Sequence, residues 1–165
     1  MRRTWLLLAI AACGGDDTAT PIVDQIAPAV AAVEAELGGP QQFFEVNATP
    51  QAVNLFVATD GATEVTPYVY VGGELAPAAE PAGAEGPTFG ADALTFDPAT
   101  VLDAIGAELP GSEVTIFSVA GGPGGAVQYT ATVQSGEGGA LDVVLGPDGS
   151  VQSVMPGASD TPLVP

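Results

Sequence analysis

The 165-residue chain has no histidine, one cysteine and only two basic residues, Arg2 and Arg3. All 20 acidic residues follow Cys13, so removal of residues 1–12 leaves a side-chain charge of −20, with no cation to offset it. Such a chain offers no basic patch to nucleic acid or anionic lipid. It also has no histidine or lysine to act as a general base, and it forms no side-chain salt bridge.

The same scarcity excludes most metal and nucleophile chemistry. Zinc, copper and iron sites are built from cysteine and histidine, of which only Cys13 is present. Asp60 and Asp148 fall in predicted loops, but neither belongs to the spaced acidic pattern of a calcium loop. The serines have no histidine or lysine partner, and no motif marks a catalytic carboxylate pair. We therefore predict no enzyme, no catalytic residue and no cofactor.

The beginning of the chain has the pattern of an export signal. Arg2 and Arg3 precede an apolar run over 5–12, which is too short to span a bilayer. The run ends in Ile10-Ala11-Ala12-Cys13, which resembles the lipobox of bacterial lipoproteins. That resemblance implies cleavage before Cys13 and attachment of acyl chains such as palmitate. It also implies anchoring to the cell membrane on the side away from the cytoplasm, periplasmic or extracellular.

Two questions about this signal stay open from the sequence. The Arg2-Arg3 pair also fits a degenerate twin-arginine signal, so both the general and the twin-arginine export routes are compatible with it. An ordinary signal peptide that happens to contain a cysteine is the alternative to the lipoprotein signal. Cys13 is accordingly the one site residue that the sequence predicts, as the point of lipid attachment.

Helical and strand patterns divide the rest of the chain. Apolar residues at helical spacing over 22–37 predict a first helix, in which Pro28 indicates a bend or a late start. Asp97 and Pro98 are typical of the N-cap and first position of a second helix. Three strands are predicted after each helix, with Pro67 indicating an edge position or a late start. The predicted strands are 43–48, 52–59 and 65–71, then 113–120, 126–134 and 140–145, with a further strand at 150–155 after a turn at 146–149.

These patterns give the domain organisation. We predict an α+β fold in which helices pack on an antiparallel sheet, preceded by a flexible tether. The segments are a signal peptide at 1–12, the tether at 13–20, a first α-β-β-β repeat at 21–75, a Pro/Ala/Gly-rich linker with little reason to be ordered at 76–93, a second α-β-β-β repeat at 94–156, and a frayed tail at 157–165.

The two predicted units match each other in order. Their helices end at Leu37 and Leu109, an offset of 72. The pattern predicts an internal duplication, the alternative being a chance likeness of two amphipathic segments. The order of elements resembles that of tandem PepSY-like domains, small exported modules in which a helix packs on one face of an antiparallel sheet. The strand matches are Phe44 with Phe117 and Val46 with Val119, at offset 73, and Ala52 with Ala126, Val53 with Val127 and Tyr70 with Val144, at offset 74.

The acid excess has three interpretations. It suits a high-salt environment, it collects divalent cations, or it docks on a partner protein with a basic surface. Mutual repulsion predicts a monomer. It also predicts carboxylate pKa values that are higher in the folded state than in the unfolded state, so that stability falls as the pH rises through those folded values. A melting temperature that is flat from about pH 4 to 8 at low salt would contradict this expectation.

Three functional hypotheses follow. The first is a membrane-anchored, non-enzymatic accessory or interaction protein of the cell envelope, whose candidate partner is an envelope protein with a basic surface. The second is a carrier of a lipid or small apolar ligand. The third is a divalent-cation binder or an enzyme that uses carboxylates alone. The sequence identifies no ligand-binding residue for any of them.

Overall fold

A computed structural model describes residues 20–136 and 138–157. The predicted signal peptide, Cys13, most of the predicted tether and residues 158–165 lie outside this part of the chain. Within it, no helix combines the length and the apolar character needed to cross a bilayer.

The described residues form two α-helices above one antiparallel sheet, which is the predicted α+β class. The strand order is β10-β9-β8-β7-β1-β2-β3-β4, with β5 beside β3 and β6 beside β1. The helices are α1 (Ile26–Leu37) and α2 (Val101–Glu108). The strands are β1 (Gln42–Ala48), β2 (Val53–Thr59), β3 (Glu64–Val71), β4 (Glu74–Pro77), β5 (Ala82–Gly83), β6 (Phe89–Gly90), β7 (Ser112–Gly121), β8 (Val127–Ser135), β9 (Ala140–Leu145) and β10 (Val151–Pro156).

Helix α1 starts late, as Pro28 indicated. A single 3-10 turn at Val23–Gln25 precedes it, and Pro28 is the third helical residue. An N–H in the first turn has no helical acceptor, so proline costs no hydrogen bond there. The helix ends at Gly38, whose φ of 80° is the left-handed conformation that glycine adopts without strain.

Helix α2 begins three residues later than the sequence predicted. Asp97 is not its N-cap, since the helix starts at Val101 with Thr100 in the N-cap position. The carboxylate of Asp97 instead accepts a hydrogen bond from the backbone N–H of Ala99 at 2.9 Å. An aspartate that binds the amide two residues ahead stabilises a turn. The carbonyl of Asp97 accepts a hydrogen bond from the N–H of Val101 at 3.0 Å, so this turn leads into α2.

Pro67 lies inside β3 without breaking the sheet. Its carbonyl accepts a hydrogen bond from the N–H of Ala78 at 2.9 Å, so its ring nitrogen also points away from β2. On that side β3 is met by β4 and, further along, by β5, and Pro67 lies between the two pairings. The missing donor therefore costs no ladder bond. The predicted edge position or late start is wrong, because β3 begins at Glu64 and lies between β2 and β4 in the sheet.

The core lies between the helices and one face of the sheet. Val46 of β1 and Val119 of β7 are fully buried at its centre and pair directly across the two strands. Alternate residues of the inner strands point to this face, as the period of a strand requires. The buried side chains include Ile26, Ala29, Val30 and Val33 of α1, Val101 and Ile105 of α2, and Phe43, Val53, Leu55, Val57, Phe117, Tyr129, Ala131, Val133, Val143 and Leu145 of the sheet.

The segment 76–93 departs from the prediction of an unordered linker. It pairs along β3 through β4 and β5, and then reaches β1 through β6. Phe89 at its end is 1 % exposed and packs against Phe43, with ring centroids 5.9 Å apart. The backbone groups of β3 that β2 leaves unpaired and the buried ring of Phe89 hold the segment in place. A proline- and glycine-rich composition does not predict either interaction.

The strand register tests the residue matches between the two halves. Val46 faces Leu55 in the first half, and Val119 faces Tyr129 in the second. In the next strands Leu55 faces Tyr68, whereas Tyr129 faces Leu145. The register therefore places Leu145 in the position of Tyr68. The predicted match of Tyr70 with Val144 is wrong, because the paired residues Leu55 and Tyr68 are 13 positions apart in the chain, whereas Tyr129 and Leu145 are 16 positions apart.

Candidate functional site

Cys13, the only site residue that the sequence predicts, lies outside the described residues, so its lipidation stays a prediction. In residues 20–136 and 138–157 no charged or polar residue is buried. No buried side-chain nitrogen or oxygen lacks a partner in that part of the chain. The same residues contain no group of three or more acidic, cysteine or histidine side chains arranged to hold a metal ion.

Two adjoining clefts lie at the end of the sheet where β8 begins and β9 ends. The larger has a volume of about 540 Å³ and the smaller about 410 Å³, and both are lined by Thr95 and Pro147. We call the pair the Thr95 cleft. Its lining residues are Thr95, Asp97, Thr100, Gly122, Pro123, 126–129, Val144, Leu145, Pro147, Asp148 and Gln152.

Tyr129 forms the floor of the larger cleft and is 3 % exposed. Its hydroxyl accepts a hydrogen bond from the N–H of Thr95 at 2.9 Å and donates one to the carbonyl of Ala93 at 3.3 Å. The ring of Phe96 meets that of Tyr129 edge-on, with centroids 5.6 Å apart. These contacts fix the segment 93–96 against β8. The tyrosine hydroxyl is thus committed to positioning Thr95.

Asp148 lies at the rim of the smaller cleft, in the predicted turn between β9 and β10. Its carboxylate accepts hydrogen bonds from the hydroxyl of Ser150 at 2.6 Å and from the N–H of Ser150 at 3.1 Å. These bonds hold the pKa of Asp148 below its ordinary value of 3.8, the hydroxyl having the larger effect. Asp148 therefore stays negatively charged across the neutral and mildly acidic range.

The Ser150→Ala substitution tests this cause. It removes the hydroxyl donor and keeps the backbone N–H, so we expect the pKa of Asp148 to rise toward 3.8. A folded-state pKa that is lowered stabilises the fold above the unfolded value, and this contribution is lost as the pH falls through the folded value. Carboxyl NMR titration measures the pKa directly, with Ser153→Ala, in the exposed part of β10, as the control. A pKa of Asp148 that is unchanged or lower in Ser150→Ala would contradict the assignment.

A third cleft of about 440 Å³ lies in the first half of the chain. Glu34 at the end of α1 and Asp92 after β6 both line it, together with the segment 40–42. The carboxylate of Glu34 accepts a hydrogen bond from the N–H of Gln41 at 3.3 Å, which ties the helix to the start of β1. This cleft lacks the buried aromatic floor of the Thr95 cleft.

The face of the sheet opposite the helices carries a row of hydrogen-bonded polar side chains. Asn47 donates to Glu45 at 3.1 Å, and Asn54 donates to Asn47 at 2.8 Å. Further along the sheet Thr132 donates to Asp142 at 3.2 Å. Half-buried apolar residues such as Phe56 lie among these polar side chains. The polar side chains interrupt the apolar residues, so this face does not present one continuous apolar surface.

The sequence predicts Asp97 at a helix start and Asp148 in a separate turn. The structure brings both to the lining of the same cleft, beside Thr95 and Thr100. The sequence does not predict that these two aspartates line one cleft, because they come from two segments about 50 positions apart that share no motif. Comparison of the chain with protein-family models, with curated proteins and with solved structures finds no match.

Proposed function

We propose that the protein is a lipoprotein anchored through Cys13 to the outer side of the cell membrane, where it acts as a non-enzymatic accessory or interaction module. The observation that carries this proposal is Ile10-Ala11-Ala12-Cys13, which places the only cysteine at the end of a short apolar run behind two arginines. Among the described residues the first regular element begins at Val23, and residues 14–22 of the sequence lie between it and Cys13. A spacer of that length is sufficient to hold a folded domain off the bilayer surface.

The charge distribution supports the non-enzymatic part of the proposal. No histidine, lysine or arginine follows Arg3, so a reaction would depend on carboxylates and hydroxyls alone. Aspartates such as Asp97 and Asp148 each bind backbone N–H groups within turns. Those bonds give both aspartates a structural role within their turns.

The Cys13→Ala substitution tests the anchor. We expect the wild-type chain in the membrane fraction of its own cells and Cys13→Ala almost entirely outside it, because an alanine cannot accept an acyl chain. Fractionation followed by immunoblotting measures the distribution. Thr18→Ala, which alters the same predicted tether and keeps the cysteine, is the matched control and should stay with the membrane. Retention of Cys13→Ala in the membrane fraction would contradict a lipid anchor.

A carrier of a small apolar ligand is the second candidate function. The larger part of the Thr95 cleft favours it, because Val127, Val144 and Leu145 give that part an apolar wall. A volume of about 540 Å³ falls in the range of small-molecule sites. A carrier purified from its own membrane would retain a bound apolar molecule, whereas an interaction module would not.

We also propose that the two halves arose by duplication of one α-β-β-β unit and resemble tandem PepSY-like domains. Val46 and Val119, matched at offset 73, pair directly across β1 and β7. A residue that lies opposite its own counterpart marks a local two-fold axis, as at the centre of a symmetric dimer. Around this axis β2 and β8 occupy corresponding places, and so do β3 and β9. A chance likeness of two amphipathic segments stays the alternative to this proposal.

A further inference from the structure

The larger part of the Thr95 cleft is an open slot at the end of the sheet. Val127, Val144 and Leu145 supply apolar side chains along it, and Gln128 and Gln152 supply amides. Amide groups bind the backbone of an extended peptide as donors and as acceptors. Such a slot has the chemistry to accept the long aliphatic part of a side chain, together with the backbone that carries it.

The smaller part of the cleft ends in negative charge. Asp97 and Asp148 both line it, each held by hydrogen bonds from backbone N–H groups. Thr100 also lines this part, and its side chain makes no capping bond to α2. No basic side chain follows Arg3 in the sequence, so within residues 20–136 and 138–157 neither carboxylate has a cation to pair with.

We propose that the Thr95 cleft binds an arginine or lysine side chain on an extended segment of a partner protein. The aliphatic stem lies along Val127, and the cationic end meets Asp97 and Asp148. This inference rests on the proposed interaction function and names the chemistry of its partner. Charge complementarity selects a basic occupant, because a second copy of this chain would bring 20 acidic residues and at most two cations.

The test uses the full-length chain extracted from its own membrane in a mild non-ionic detergent. The probes are two peptides that carry an uncharged fluorescent dye and have no charge at either end. One is Gly-Val-Arg-Val-Gly, and the other has citrulline in place of arginine. Citrulline keeps the shape of arginine and removes its charge. We expect fluorescence anisotropy at low salt to give a dissociation constant at least about tenfold lower for the arginine peptide. Equal affinity for the two peptides, or no saturable binding of either, would overturn the proposal.

Variants locate the binding site. The double variant Asp97→Asn/Asp148→Asn should weaken binding of the arginine peptide at least about tenfold, because asparagine keeps the hydrogen-bonding shape and loses the charge. The matched control Asp60→Asn/Asp103→Asn removes the same charge from exposed positions outside the cleft and should alter binding less than about twofold. Equal weakening in both double variants would overturn the proposal, since it would indicate that the overall negative charge of the protein attracts the peptide without a specific site.

One further variant tests the site even if the double variant does not fold. Thr100→Arg places a cation at the rim of the cleft and leaves both aspartates in place, and it should also weaken binding at least about tenfold. Unchanged binding by Thr100→Arg would contradict the assignment. The intact mass of the same preparation reports acylation separately. A bound arginine peptide on an unacylated chain would refute the anchor alone, and an acylated chain without binding would refute the cleft alone.

Discussion

We expect the Phe117→Ala substitution to lower the free energy of unfolding by about 3–5 kcal/mol. Phe117 is fully buried in β7, and its ring packs against Phe96 and Tyr129 at centroid distances of 5.1 and 6.3 Å. Its direct neighbours across the strands are Ala48 and Ala131, which are too small to fill the space that a truncated ring would leave. The loss therefore combines the transfer of a large apolar ring with an unfilled cavity.

Urea denaturation followed by circular dichroism measures this change. The matched control is Phe44→Ala, because Phe44 lies at a register shift between Phe43 and Glu45 and is only half-buried. We expect the control to cost less than half as much as Phe117→Ala, in proportion to the apolar area that it buries. Equal losses in the two variants would contradict the position of Phe117 at the centre of the core.

The second large effect is expected at Gly121, where β7 ends beside the segment 76–93. A Cβ added there would collide with the carbonyl of Pro87 and lie 2.9 Å from the nitrogen of Thr88. Both atoms belong to backbone, which cannot rotate away as a side chain can. Gly121→Ala must displace the segment that leads into β6, and we expect it to lower the free energy of unfolding by about 2 kcal/mol or more.

Gly83→Ala is the matched control for this prediction. Gly83 lies in β5, its φ is outside the range that only glycine favours, and an added Cβ would meet nothing within 4 Å. We expect its free energy of unfolding to change by less than about 0.5 kcal/mol. Both values come from the same urea experiment. A stable Gly121→Ala protein would show that the segment before β6 does not pack against the end of β7.

Local sequence patterns predicted most of the regular structure here. Val53, Leu55 and Val57 alternate toward one face, and the structure buries all three. Pro28 indicated a late helix start, and this prediction is confirmed. The edge position or late start indicated by Pro67 is wrong, because β3 begins at Glu64 and lies between β2 and β4. These features depend on short-range periodicity and on the missing N–H of proline, which the sequence displays directly.

Features that depend on distant segments were not predictable in this way. Phe44 was matched with Phe117, but the register shift in β1 leaves Phe44 half-buried and gives the core position to Phe43. A shift of this kind is a property of two strands together, so one strand's pattern does not reveal it. The regular structure of the segment 76–93 likewise depends on pairing with the side of β3 that faces away from β2.

The Thr95 cleft was unpredictable for the same reason. Its lining comes from the segment before α2, from the turn before β8 and from the turn after β9. The sequence correctly indicated a turn at 146–149, but it gave no sign that Asp148 would line a cleft with Asp97. The contact between these segments is set by the buried Tyr129, whose hydroxyl fixes Thr95.

The intact mass of the protein, extracted from its own membrane and kept under native conditions, tests the lipid anchor most directly. We expect the mass of residues 13–165 plus a diacylglycerol group, with or without a further acyl chain. We also expect that no apolar molecule remains bound after mild detergent extraction. An unmodified Cys13 would contradict the anchor and the location on the outer side of the membrane.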